Sequence, residues 1–147
     1  MATGGDIPAA MARLTSGMFV MTSDFEGARA GVVVRSVQPC GVMPPLICVA
    51  ARTGHWIEPI IRDSRHFAVC KVDESDRLIL RKFGEDVGEN ESATQFDSFV
   101  LEKMTSTSPV LAKSPLVFDC EVVRHFDLEA DHELYVGLVQ AVRVRAR

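Results

Sequence analysis

Two apolar, β-branched runs lie late in the chain, at residues 116–123 and 133–144, far from the four that precede them at 18–21, 30–37, 46–51 and 67–72. A sheet that joins all six needs long-range pairings. Only three short helical stretches interrupt them, at 9–14, 53–61 and 76–83. Strands with few, irregularly placed helices do not fit the strict alternation of a parallel βαβ sheet. They favour a mostly β chain closed into an antiparallel barrel of about six strands. At 147 residues the chain makes one domain, 1–147. Its 47% hydrophobic and 24% charged content is that of a folded chain rather than a disordered one.

Local signals refine this. Asp6 before Ile7-Pro8 supplies a side-chain acceptor and a proline for the first turn of a helix. Trp56, Ile57, Ile60 and Ile61 recur at helical spacing, and Pro59 fits that helix only in its first turn, which sets its start near 54–55. Asp73 is a candidate cap for the third helix, with Gly84 as its stop. Residues 24–27 have a turn composition, and 85–94 and 105–108 read as loops. Arg143, Arg145 and Arg147 alternate as one solvated face of the last strand would.

Several function classes drop out. The net charge of −4 gives no basic footprint for nucleic acid. The charge-free stretch 36–51 is broken by Pro39, Gly41, Pro44 and Pro45, too short and interrupted to span a membrane. The opening residues lack a basic region followed by an apolar core, so a cytoplasmic setting is expected. Cys40, Cys48, Cys70 and Cys120 form no CxxC pair, and His55, His66, His125 and His132 have no ligand spacing with them, so no metal site is expected. Cys48, Cys70 and Cys120 sit in apolar runs, where a thiol packs as a small hydrophobe. No glycine-rich phosphate loop or nucleophile elbow is present. The residues alone give a mostly β domain with a ligand to bind.

The order of several fragments resembles the flavin-reductase-like, FMN-binding split-barrel family over nearly the whole chain. The fragments are Leu14-Thr15-Ser16-Gly17-Met18-Phe19-Val20-Met21-Thr22, Pro44-Pro45-Leu46, Ser64-Arg65-His66-Phe67-Ala68-Val69, Arg81-Lys82-Phe83-Gly84 and, most specific, Asp131-His132-Glu133-Leu134-Tyr135-Val136-Gly137-Leu138-Val139. The resemblance implies a split barrel and a homodimer. It implies FMN as cofactor, with FAD as the alternative, and NAD(P)H as the transient hydride donor. It also implies a partner monooxygenase as one destination of the reduced flavin. The flavin supplies its own reactivity, and the protein supplies placement, electrostatics and exclusion of water.

Carried onto this chain, the resemblance points to Val33, Arg35, Ser36, Ala51, Arg52, Thr53, His55 and Trp56 for the cofactor and to His132 for the nicotinamide or flavin. Four positions depart from the family pattern: Val33 and Arg35 stand where Thr and Ser or Asn are usual on the second strand, and His55 and Ile57 where Ser and Thr are usual at the helix start. Valine offers no side-chain hydrogen bond, whereas Arg35 brings a planar fork suited to phosphate. Arg35, Arg52 and His55 together would make an unusually cationic site. Two other readings compete: a flavin-binding electron carrier or sensor without turnover, and a dimeric split-barrel scaffold that has lost flavin.

Overall fold

The computed structural model describes residues 5–145. In chain order its strands are β1 (Met18–Phe25), β2 (Ala28–Val34), β3 (Ser36–Gly41), β4 (Leu46–Arg52), β5 (His66–Val72), β6 (Leu101–Glu102), β7 (Val110–Leu111), β8 (Leu116–Asp127) and β9 (His132–Val144). All but β6 and β7 form one antiparallel sheet in the order β2-β1-β5-β8-β9-β4-β3. The edge strands β2 and β3 are two halves of one ribbon, parted only at Arg35. The edges of the sheet therefore meet through the backbone itself, which makes the barrel. The bend is pinned from outside: the Arg35 carbonyl accepts from Ser16 N (3.3 Å), Ser16 Oγ (3.2 Å) and Thr15 Oγ1 (3.4 Å). Ser16 Oγ in turn accepts from Val37 N at 3.0 Å.

Two apolar layers explain why the early strands are apolar on both faces. Inside the barrel, Phe19, Met21, Val32, Val49, Phe67 and Tyr135 pack with Ile57 and Ile61 of α2 (Ile57–Ser64). Outside it, Met18, Val20, Ala68 and Cys70 pack under Ile79 and Phe83 of α3 (Arg77–Phe83), with Phe96, Val110 and Leu111. A strand buried on both sides reads as a continuous apolar run rather than an alternating one.

The structure corrects the sequence reading at several points. The expected 30–37 strand is two strands. β1 runs on to Phe25, and its hairpin turns at Glu26–Gly27, both with positive φ (51° and 89°). The small hairpin of β6 and β7 carries no sequence signal, and residues 89–94 form a 3-10 turn within the expected loop. The first helix is α1 (Ile7–Met11), capped by Asp6 as expected. The second begins at Ile57 rather than near 54–55, which places Pro59 in its first turn, where its missing N–H breaks no hydrogen bond.

Asp76, not Asp73, caps α3, accepting from Leu78 N (3.0 Å) and Ile79 N (3.2 Å). Asp73 instead accepts from the Ser75 hydroxyl and N–H, which hold its carboxyl below the usual carboxylate range. Asp76→Ala removes an acceptor for two otherwise unpaired helix N–H groups. It is expected to cost about 1 kcal/mol, read as a lower midpoint with unchanged slope in urea unfolding.

Arg143 is not solvated. It pairs with Glu102 of β6 and donates to the carbonyls of Leu111 (3.0 Å), Ala112 (3.2 Å) and Ser114 (3.0 Å), so it ties the small hairpin to the barrel. Arg147 lies outside the described residues. Burial pushes the Cys70 thiol up to about 11 and Cys120 to about 12, which makes both packing residues rather than nucleophiles.

Candidate functional site

Strand alternation puts Ser36, Ala50, Arg52 and His132 on the outer face at one end of the barrel. Register does the rest: Ser36 is opposite Ala50, and Arg52 is opposite His132. The end of α3 and the turn after it stand over this face and close a cleft of about 340 Å³. Val33, Val34, Arg35, Ser36, Ala50, Leu80, Gly84, Glu85, Asp86 and His132 line it. That volume lies in the range of small-ligand sites, ~300–1,000 Å³.

The predicted residues fall into two groups. Val33, Arg35, Ser36 and His132 line the cleft, and Arg52 joins them through Glu85, whose Oε1 lies 3.7 Å from its guanidinium. Arg35 projects outward and pairs with Glu74 at 3.5 Å. His132 lies between two carboxylates, Asp131 at 3.1 Å and Glu85 at 3.6 Å. The hydrogen bond and charge of His132 hold the Asp131 carboxyl below its usual range.

Ala51, Thr53, His55 and Trp56 stand outside the lining. Ala51 points into the barrel core. Thr53 fastens the end of β4 to the β8–β9 turn, donating from N to Asp131 O (2.9 Å) and from Oγ1 to Ala130 O (3.2 Å).

His55 is only 7% exposed. Its Nδ1 accepts from Ile57 N at 3.0 Å at the start of α2, and its ring stacks on Trp56 with centroids 5.2 Å apart. Burial lowers its pKa from 6.5 to about 4. The imidazole is therefore neutral near pH 7 and adds nothing to the expected cationic site. Arg35 and Arg52 are the cations available to an anion here.

Trp56 packs against the core and donates from Nε1 to Val87 O at 3.3 Å, so it holds the turn after α3 rather than lining the cleft. Ile57 is 1% exposed in the core, so no hydroxyl is missing from the cleft at that position. Val33 does face the cleft, and there the apolar substitution removes a donor.

Glu85 and Asp86 carry no sequence signal of their own, lying in a stretch that reads as plain polar loop. The stop at Gly84 is the only sign that the chain turns back there. The arrangement offers the Arg35 guanidinium and the Ser36 hydroxyl, with Arg52 adjoining through Glu85, an apolar wall of Val33, Val34, Ala50 and Leu80, the carboxylates of Glu85 and Asp86, and the His132 imidazole. Such a set suits a flat apolar ring carrying a phosphate, and the residues fit a flavin mononucleotide in kind.

Comparison with known proteins is consistent with this. The sequence profile of the family described as "Flavin reductase like domain" matches residues 11–147. A relative called FMN reductase (NADH) RutF, from Pantoea ananatis, is 27% identical over 115 residues. The match covers 78% of this chain and 59% of that protein. FMN reductase (NADH) RutF 1 from Methylorubrum extorquens is 26% identical over 134 residues, covering 90% and 64%. The chain thus spans about three fifths of the length of these curated relatives. Among solved structures, nitrilotriacetate monooxygenase component B from Mycobacterium thermoresistibile superposes with a TM-score of 0.80 at 22% identity, covering 94% of this chain and 74% of that one. At that identity the likeness establishes the fold.

Proposed function

The chain belongs to the flavin-reductase-like family, and from that premise we propose that it is an FMN-binding oxidoreductase that passes hydride from NADH to flavin. The observation that carries this is the cleft at the Arg52–His132 end of the barrel, where cations, an apolar wall and a rim imidazole converge. FMN, when bound, supplies the two-electron acceptor chemistry. Arg35 and Arg52 hold its phosphate as planar forks, with the Ser36 hydroxyl as a further donor. Val33, Ala50 and Leu80 give the ring an apolar bed, and the end of α3 excludes water from one side. His132, steadied by Asp131, aligns the nicotinamide at the open side. FAD is the alternative cofactor.

A homodimer is part of this reading. Leu46 on β4 and Leu134, Val136 and Leu138 on β9 share the half-buried outer face beside the cleft, the kind of surface a second copy covers. Release of reduced flavin to a partner monooxygenase belongs to the same reading, and a cleft open to solvent is compatible with it. Free, reduced cysteines support a cytoplasmic setting. No helix among the described residues is long and apolar enough to cross a membrane.

Val33 in the cleft wall favours one other reading, a flavin-binding carrier or sensor that does not turn over NADH. The absorbance spectrum of the purified protein, taken with FMN and then anaerobically with NADH, separates them. Flavin bands that bleach establish the reductase. Bands that persist indicate the carrier, and no bound flavin leaves a scaffold. Restoring a hydroxyl is informative at Val33→Thr alone, because Ile57→Thr would place a hydroxyl in the core.

A further inference from the structure

Among the described residues, Glu85 alone pairs with both Arg52 and His132. It uses one oxygen for each: Oε1 lies 3.7 Å from Arg52 Nη1, and Oε2 lies 3.6 Å from His132 Nε2. Arg52 and His132 are cross-strand partners, so their separation is fixed by the sheet. The carboxylate that spans them comes from a turn that is fixed too. Val87 N donates to Gly84 O at 3.1 Å, and Trp56 Nε1 donates to Val87 O at 3.3 Å.

We propose that Glu85 is a built-in competitor for the ligand's phosphate: its carboxylate occupies Arg52, one of the two guanidinium groups assigned to an anionic flavin, so phosphate binding at Arg52 is an exchange of one anion for another. The inference rests on the flavin reading and deepens it. A carboxylate seated on Arg52 weakens the hold on FMN below what two free arginines would otherwise give. The weakening acts only through phosphate, so riboflavin, which has none, is not affected. Glu85 therefore sets how readily FMN is exchanged, the property needed by a protein that hands its flavin on. Trp56, by holding the turn, is a positioning residue for the same effect.

The test is a titration of the full chain with FMN and, separately, with riboflavin, followed by quenching of flavin fluorescence at low and at high salt. It compares the wild type, Glu85→Gln, Arg52→Gln and the double variant. Glu85→Gln is expected to tighten FMN about twofold to fivefold, the span of one part-exposed ion pair, with riboflavin unchanged. The gain shrinks at high salt and in the Arg52→Gln background, where the contested cation is gone. Arg52→Gln alone weakens FMN, which reads the same contact from its other side should Glu85→Gln disturb the turn. An unchanged FMN affinity in Glu85→Gln overturns the proposal, as does equal tightening of riboflavin, which would mean a cleft merely opened. If neither flavin binds the wild type or the variants, the flavin reading falls as well. If FMN binds all equally, only the role of Glu85 does.

Discussion

Gly137→Ala is expected to lower the unfolding free energy by about 2–3 kcal/mol, the cost of overpacking a filled core. Gly137 sits mid-way along β9, and a Cβ there would lie 2.6 Å from Phe67 Cζ and 2.7 Å from Cys120 Cβ. Neither neighbour can yield easily. Phe67 is fully buried in the barrel core, and the Cys120 Cβ is fixed by its own backbone in β8. Glycine is required here for space rather than for an unusual backbone angle, so the strain comes from packing. Calorimetry should show a midpoint lower by roughly 6–10 °C. The Phe67→Leu background should return part of the loss by making room for the added methyl. A variant as stable as the parent would mean that β8 and β9 can move apart at this point.

Stability should also fall between pH 6.5 and 4 in a way that depends on His55. In the folded chain its pKa is about 4 against 6.5 for the free side chain, so over that interval the unfolded chain binds more protons than the folded one. The stabilisation is fully present above pH 6.5 and is lost as pH falls through about 4. The shift converts to about 3 kcal/mol at most, and about 2 once solvent reaching the ring edge is allowed for. His55→Asn keeps an acceptor for the Ile57 N–H but cannot take the proton. The difference in unfolding free energy between parent and variant should therefore narrow by about 2 kcal/mol from pH 7 to pH 4.5. Parallel curves would show that the ring reaches water after all.

The sequence is most informative where a local interaction decides the structure. Asp6 caps α1, and the doubly buried β1 and β5 show as unbroken apolar runs. It is least informative where a distant segment decides. Arg143 sits in an alternating arginine series that reads as solvated. Alternation says which residues share a face, and nothing about a hairpin of two two-residue strands arriving from earlier in the chain to cover it. The same limit applies at the site. His132 lies in a matched fragment, and Arg35, Ser36 and Arg52 are positions to which the resemblance points; the fold brings all four to the cleft. Glu85 is not, because a glutamate after a helix stop looks like any other until the fold carries it to Arg52 and His132. His55 misleads for a related reason, since its position in the sequence carries no trace of the burial that keeps it uncharged.

The bend at Arg35 divides one residue between two tasks. Its backbone closes the barrel, gripped at the carbonyl by Thr15 and Ser16, while its side chain, 52% exposed, reaches into solvent toward Glu74. The closure depends on a carbonyl that every amino acid shares. The side chain is therefore free to vary without putting the architecture at risk. Position 35 is thus a natural entry point for altering ligand preference by directed evolution, and a place where relatives can diverge in chemistry while keeping the same seam.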